Sequence, residues 1–360
     1  EHDYELRLGD EYAIREYTLQ YAETDLAFLS RILEREGIFY FFEHGQEAEG
    51  EEGSYERLIV ADDSTKLEPA GAERLAVPFK RSDSLGARPA VLRMGCKRTL
   101  APKEVVLTDY DWRTPDRELE ASEEVEGGTF GVFVSHTEHF GKTPNGQPRT
   151  GLSATRDVQG PRLAKRRAEL FACRSEMYTG TSTVKAFAPG GSFTLEDHVV
   201  DGLNQEYLVT VVTHDVVQAA QVSGAGGAVG TSRPYSNTFQ AQRLELPFRP
   251  LLATPVPQLH GVYPARVDGK EGKAAPLDAW GRYQVILPFA MAGEETKGAT
   301  EEEEIGKSSG WLRMAQPHGG AGQGFHMPLR PGTEVLIAHT FGDPDRPVIV
   351  GVVPNMQTPS

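Results

Sequence analysis

The sequence predicts a mainly β fold with a few helices (β+α), in two parts, the second a small closed barrel. Three observations carry that prediction. The stretch from Trp311 to Asn355 reads as short strands separated by glycine and proline turns. The whole chain of 360 residues holds 38 glycines and 24 prolines beside 39% hydrophobic residues, a turn-rich balance. Only two segments, 24–36 and 161–176, show helical spacing of apolar residues together with start signals.

The elements follow in order. Tyr4 to Leu8 alternates as a strand. Thr24 to Glu36 is a helix: Thr24 caps it, Asp25 suits the positive end of its dipole and Gly37 ends it in a left-handed turn. At 100° per residue Leu26, Phe28, Leu29, Ile32 and Leu33 share one side, which predicts a helix docked on a sheet. Ile38 to Phe42 is apolar throughout and reads as a strand buried on both faces. Strands are also expected at 57–61, 91–98, 105–107, 182–187, 192–195, 207–214 and 237–246, with loops at 43–55, 143–160 and 223–232. Pro161 opens the second helix, through Glu176; its Arg162, Lys165, Arg166, Arg167 and Arg174 predict a solvated basic face or a contact with an acidic neighbour.

Four prolines make 247–257 an extended linker, which places the domain boundary there. Beyond it, 260–267, 281–289, 311–315, 333–339 and 347–353 are strands, joined by a charged excursion at 292–307, a glycine-rich one at 319–324 and the corner Gly342-Asp343-Pro344-Asp345. Val335 and Ile337 alternate imperfectly with Glu334 and Leu336, which suits burial on more than one face. Five short strands that close on themselves make an oligosaccharide/oligonucleotide-binding (OB) barrel.

Composition excludes several functions. No apolar run approaches the length of a membrane span. The net charge of −15 opposes nucleic acid as the main partner, and from Thr254 onward nine Lys/Arg face twelve Asp/Glu, the wrong sign for counterion release. Trp280, Tyr283, Phe289, Trp311, Phe325 and Phe341 are therefore read as core or subunit-contact aromatics rather than base platforms. Cys96 and Cys173 are isolated, which points to structural thiols in a reducing compartment. His136 and His139 have a chelating spacing but no third ligand nearby, and His318, His326 and His339 flank the glycine loop; both sets are read as ordinary histidines. Gly320-x-Gly322-x-Gly324 lacks a dinucleotide-binding context, Gly306-Lys307-Ser308 lacks the upstream glycine of a P-loop, and no GxSxG elbow occurs. The acidic clusters lie in solvated loops, so no catalytic constellation is expected.

Several ordered motifs resemble one family. Tyr21, Glu23, Asp25, Phe28, Arg31, Glu34, Glu36, Gly37, Ile38, Tyr40 and Phe42 follow, position for position, a signature of the hub of VgrG proteins. These are type VI secretion spikes related to the hub and spike of contractile phage tails. Asp109-Tyr110-Asp111-Trp112-Arg113, Pro189-Gly190-x-Ser192-Phe193-Thr194-Leu195 and Leu203-Asn204-x-Glu206-Tyr207-Leu208-Val209-Thr210 resemble later parts of that hub. Asp278-x-x-Gly281-Arg282-Tyr283-x-Val285, Ser308-Ser309-x-Trp311-Leu312-Arg313-x-Ala315-Gln316-Pro317, Pro331-x-x-Glu334-Val335 and Gly342-Asp343-Pro344-Asp345-Arg346-Pro347 resemble its OB domain.

The resemblance implies a hub-type β-barrel/sheet region at 1–246, incomplete at its start, the linker at 247–257, an OB domain at 258–355 and a tail at 356–360 leading toward an absent needle. It implies a homotrimer on a hexameric Hcp tube, with a β-helical needle tipped by a PAAR protein, and baseplate components, effectors and adaptors as further partners. The target membrane is met only by puncture, after assembly in the bacterial cytoplasm and injection. Motif residues would then be structural, with no cofactor and no enzyme. His318 departs from the pattern, standing where the family commonly has an aromatic residue. A tail-associated cell-wall hydrolase and a nucleic-acid-binding OB protein are the competing readings.

Overall fold

A computed structural model describes residues 4–12, 15–46, 54–67, 74–81, 88–113, 115–116, 118–136, 159–217, 235–270, 272–289, 309–357 and 359. The loops expected at 223–232 and 292–307, together with His139 and Ser308, lie outside them, as do residues 143–158 of the loop expected at 143–160; its last two residues, Gln159 and Gly160, instead open the second helix. The chain forms two compact units: residues 1–13, 32–141 and 148–253 in the first, and 14–31, 142–147 and 254–360 in the second. The passage from Ala253 to Thr254 falls inside the proline-rich stretch, whereas residues 14–31 join the second unit although a contiguous division at 1–246 assigns them to the hub.

Among the described residues, three sheets build the first unit. A six-stranded sheet combines β4 (Leu75–Pro78), β5 (Val91–Arg98), β9 (Glu176–Ser182), β10 (Ser192–Glu196), β11 (Glu206–Val216) and β12 (Tyr235–Arg243) in the order β4-β10-β11-β12-β9-β5. Phe193, Tyr207, Phe239, Tyr178 and Val91 make its core, with Phe193 and Tyr207 stacked at 5.4 Å. Gly180 on β9 sits under Phe239: a Cβ there would lie 2.4 Å from the ring, so the glycine admits the aromatic. A second sheet orders β7 (Leu119–Glu124), β6 (Glu104–Asp109) and β8 (Val132–His136), and helix α2 (Gln159–Ser175) lays Leu163, Ala164, Ala168 and Ala172 on its Val105 and Leu107. The third orders β1 (Tyr4–Arg7), β3 (Ser54–Ala61) and β2 (Phe39–Gln46), with β1 parallel to β3.

The second unit contains the barrel. Strands β14 (Val285–Ile286), β13 (Val262–Val267), β18 (Glu334–His339), β19 (Pro347–Val352) and β15 (Arg313–Met314) follow in that order. The ends then meet: Tyr283 and Leu312 exchange two backbone hydrogen bonds of 2.9 and 2.8 Å, and the Ser309 N–H donates to Val285 at 2.9 Å. That seam closes the ring, so the closed five-stranded barrel expected from imperfect alternation is present. Its core is Val335, Ile337, Ile349, Leu312, Tyr283 and Ala265, joined by Tyr17 and Leu19. The glycine excursion is a small hairpin of β16 (Gly319–Gly320) and β17 (Gln323–Gly324).

Helix α1 (Asp25–Glu36) begins and ends as read: the Ala27 N–H donates to Thr24 Oγ1 at 3.2 Å, and Gly37 has φ of +75° with its N–H on the Glu34 carbonyl at 3.1 Å. Its burial differs from the periodicity. Leu26 and Leu29 are 63% and 47% exposed, and the one buried residue of the helix is Arg31. A paired guanidinium, described below, turns the helix against its apolar side. On β2, Phe39 and Phe41 are buried but Tyr40 and Phe42 are 40% and 46% exposed, so this strand alternates rather than being covered on both faces. The second helix runs straight into β9, so the strand expected at 182–187 lies instead at Glu176–Ser182. Its basic side is not a solvated face: Arg166 and Arg167 are buried. Among the expected aromatics of the barrel only Tyr283 is core; Phe325 and Phe341 stay 59% and 73% exposed.

Because Ile337 is fully enclosed, Ile337→Ala should lower unfolding free energy by about 2–5 kcal/mol in a urea titration. Val350→Ala, on the half-exposed side of the neighbouring strand, should stay within about 1 kcal/mol.

Candidate functional site

Two of the motif segments, one carrying Arg31 and the other the Gly342 corner, meet at one backbone unit, Leu19, in the second compact unit. Thr24 starts α1 just after an extended segment, and this geometry returns Arg31, two turns on, over that segment. The Arg31 guanidinium grips Glu23 through Nε (3.0 and 2.9 Å) and Nη2 (2.8 Å) and donates to the Leu19 carbonyl at 2.9 Å. The Phe28 ring lies 5.0 Å below it. The Leu19 N–H donates in turn to Asp345 Oδ1 at 2.9 Å, across 326 positions of sequence. Asp345 is buried in the corner, with the Arg15 guanidinium at 3.9 Å. The corner holds itself: the Asp345 N–H donates to Asp343 Oδ1 at 2.9 Å, and the Arg346 N–H to the Asp343 carbonyl at 3.0 Å. Gly342 has φ of +72°, which favours glycine, whereas a Cβ there would need only the end of the Gln258 side chain to move. Pro344 is buried, Arg346 stands 3.8 Å from Asp343, and Pro347 pairs with His339.

The other motif residues serve the same framework or none. Tyr21 packs edge-on against Phe289 (5.3 Å) and Tyr263 (5.9 Å). Asp25 accepts from Gln20 Nε2 at 2.7 Å, and the carbonyl of Glu34 takes the N–H of Gly37. Arg313 faces Val348 across the β15–β19 ladder. Trp311 and Gln316 are half-buried, Pro317 is exposed, and Tyr40 lies on the open side of β2.

The first unit has its own polar core, which sequence reasoning missed. Arg249, 1% exposed, reaches the carbonyls of Gly37 (3.2 Å) and Asp62 and the carboxylate of Glu169 (2.7 Å). Arg166 joins Glu169 (3.1 Å) to Asp10, and Arg162 holds Glu36 at 2.5 Å. Gly37 lies close under two of these arginines: a Cβ there would lie 3.2 Å from Arg249 and 3.3 Å from Arg166, tight enough that those side chains would have to shift by a few tenths of an ångström. Asp62 accepts the N–H groups of Gly9 (2.9 Å) and Asp10 (2.9 Å) and the Tyr12 hydroxyl (2.8 Å). Burial pushes its carboxyl up, but these donors outweigh burial and hold it below the usual carboxylate range. Burial pushes Glu169 up, and Arg166 and Lys165 oppose that. The available signal was one arginine between Phe248 and Pro250 in an otherwise apolar stretch: part of the expected linker, Phe248 and Arg249, belongs to the core.

Chemistry finds little purchase elsewhere. Among the described residues no three or more His, Cys, Asp or Glu cluster as metal ligands. His136 is taken by the Thr108 hydroxyl at 2.5 Å, His318 lies edge-on to Phe325, and His339 is buried. A 510 Å³ groove on the six-stranded sheet is lined by Arg93, Thr179, Thr181, Thr213, Thr238 and Gln240 and has no carboxylate or histidine in its wall. A 270 Å³ cleft holds Glu123, Glu124, Glu126 and Glu169, the last already engaged by Arg249 and Arg166. Cys173 is buried and its thiol is pushed up to about 12 by burial, away from reactivity.

Two outcomes follow from these networks. Arg31→Ala strands a buried Glu23 carboxylate and should cost about 3–5 kcal/mol in urea unfolding, with Glu23→Gln added to it recovering part of the loss. Asp62 has a depressed folded pKa, so its contribution is present above the ordinary carboxylate pKa near ~4 and is lost as pH falls through the folded value. Thermal melts from pH 7 to pH 2 should therefore show a shallower acid loss in Asp62→Asn than in the parent.

Comparison with known proteins gives these networks a context. The model of the phage tail baseplate hub family (GPD) matches residues 1–220, and that of the type VI secretion system/phage-baseplate injector OB domain matches residues 297–353. The type VI secretion system spike protein VgrG1a of Pseudomonas aeruginosa is 28% identical over 357 residues, 99% of this chain and 50% of the relative. VgrG5 of the same organism is 30% identical over 97% of this chain and 41% of its own length, and VgrG3 of Vibrio cholerae is 28% identical over 97% and 31%. The chain thus spans about half the length, or less, of the curated relatives it matches. A solved Escherichia coli protein, c3393, superposes with a TM-score of 0.57 at 24% identity, over 98% of this chain and 66% of that one. It is described as a type VI secretion component similar in structure to the T4 bacteriophage tail proteins gp27 and gp5, and at this identity it shows a shared fold. A chain with a baseplate-hub match over 1–220, an injector OB domain behind it and VgrG spike proteins as homologues along 99% of its length belongs to the phage tail baseplate hub family.

Proposed function

We propose that this chain is the hub and OB portion of a VgrG-type spike of a type VI secretion machine, and that its work is mechanical. The observation that carries this reading is the order of the two family matches, hub then injector OB domain, along a chain whose spike homologues align over 99% of it. In this reading three copies assemble as a homotrimer, the hub sits on the Hcp tube, and the OB barrel passes into a needle tipped by a PAAR protein. Effectors, adaptors and baseplate components are its other partners. It is assembled in the bacterial cytoplasm and driven outward, meeting a target membrane by puncture alone.

The domain division belongs to the same proposal: hub region 1–246, linker 247–257, OB domain 258–355 and tail 356–360, with residues 14–31 lent to the barrel's unit. Tyr21, Asp25, Phe28, Arg31, Glu34, Gly37, Tyr40, Trp311, Arg313, Gln316, Pro317, Gly342, Asp343, Pro344, Arg346 and Pro347 are assigned packing and bracing roles rather than chemistry. The networks around Leu19 and Arg249 support this, because their charged groups bond to backbone and to each other. No cofactor and no nucleic acid enter the reading.

Native mass spectrometry of the purified chain, alone and extended to the length of its relatives, tests the assembly. Three copies per particle is the expected mass. A monomer at high protein concentration in the extended protein would overturn the spike reading, as would peptidoglycan cleavage abolished by a single Glu or Asp substitution.

A further inference from the structure

His339 ends strand β18 at the corner where the barrel carries the segment 15–31. It is 8% exposed, and neither ring nitrogen has a hydrogen-bond partner. One neighbour is the Tyr263 ring, 5.9 Å away and nearly perpendicular (82°). On the far side of Tyr263 stands Tyr21, whose ring is 5.9 Å from it and set edge-on at 74°. A column of three rings therefore joins the buried imidazole to the segment that supplies Tyr17 and Leu19 to the barrel core.

The charges around this column are few. Asp343, in the corner, favours a proton on His339, but it also stands 3.8 Å from Arg346. Asp345 is held by the Leu19 N–H and by Arg15. On β19 the residue opposite His339 is Pro347, which carries no charge, and β13 offers only the Tyr263 phenol. His260 lies beside Gly342 in solvent and is the exposed titratable neighbour. Burial lowers the affinity of His339 for a proton, and burial is the larger effect against the single carboxylate.

We infer that His339 is a proton-sensitive latch: neutral, it lets the Tyr263–Tyr21 column close over the barrel, and protonated, it releases segment 15–31 from the barrel wall. An imidazolium there has two N–H donors and no acceptor, so the charged form is favoured only when the column opens and water reaches the ring. Linkage gives the sign. A base with a lowered folded pKa binds fewer protons when closed, so closure is complete above the ordinary histidine pKa near ~6.5 and weakens as pH falls toward the lowered value. The inference does not depend on the spike reading, since it concerns one barrel and its own segment.

Hydrogen exchange read by mass spectrometry, corrected for the intrinsic pH dependence of exchange, tests it on the full chain. Between pH 7.5 and pH 5.5, peptides covering 15–31 should lose protection by up to about tenfold, the ceiling set by an ordinary histidine pKa near ~6.5 one unit above the lower pH, while β18 and β19 stay protected. His339→Phe keeps an aromatic partner for Tyr263 without a titrating group and should abolish that loss. If His339→Phe does not fold, His339→Gln serves, with its amide neutral at both pH values. A pH-dependent loss of equal size in parent and variant would assign the effect to His260 or the carboxylates and overturn the latch. No loss in the parent would overturn it as well.

Discussion

A guanidinium removed from water needs acceptors for its N–H groups, and this requirement shapes both units. Transfer of an ion into a protein interior costs several kcal/mol even after relaxation, so a buried arginine is held by a set of paired carboxylates and carbonyls. Arg249 finds that set in two main-chain carbonyls and Glu169, and Arg31 finds it in Glu23 and the Leu19 carbonyl. In each case an acceptor is backbone of a distant segment. The arginine therefore fixes where a strand end or loop must lie. Such ties contribute less to net stability than an apolar core of the same volume; what they add is a single arrangement of chain crossings.

Much of the architecture was legible. Helix α1 is written in Thr24, Asp25 and Gly37, because capping chemistry is local and each group satisfies a backbone atom within a few residues. The barrel strands are written in Val335, Ile337 and Ile349, and the corner in Gly342 to Pro347. What the periodicity of α1 misplaced was its buried side. Helical spacing of apolar residues sums transfer preferences around the axis and cannot see that Arg31 will meet Glu23 eight residues earlier. The same limit hid Arg166 and Arg167, which read as a solvated basic stripe until Asp10 and Glu169 are placed beside Arg166 and the Arg35 carbonyl beside Arg167.

The candidate site was legible as a set of residues and not as a network. Motif order named Arg31 and the Gly342 corner, yet nothing in their spacing says that Leu19 lends its carbonyl to one and its N–H to the other. Leu19 itself carries no signal, since its role belongs to main-chain atoms common to every residue. Asp62 is a similar case: a carboxylate in a run of ordinary loop residues becomes the acceptor for three donors, one of them shared between its two oxygens, only when residues 9–12 fold over it.

The position of β19 bears on how the barrel would meet a force applied where the chain leaves it. It is the last strand before the chain leaves the barrel, yet it is not at an edge: β18 bonds it on one side and β15 on the other. In a ring closed at the Tyr283–Leu312 seam no strand offers a free flank, so drawing out the chain beyond Val352 means breaking bonds to β18 and to β15 together rather than to one neighbour alone.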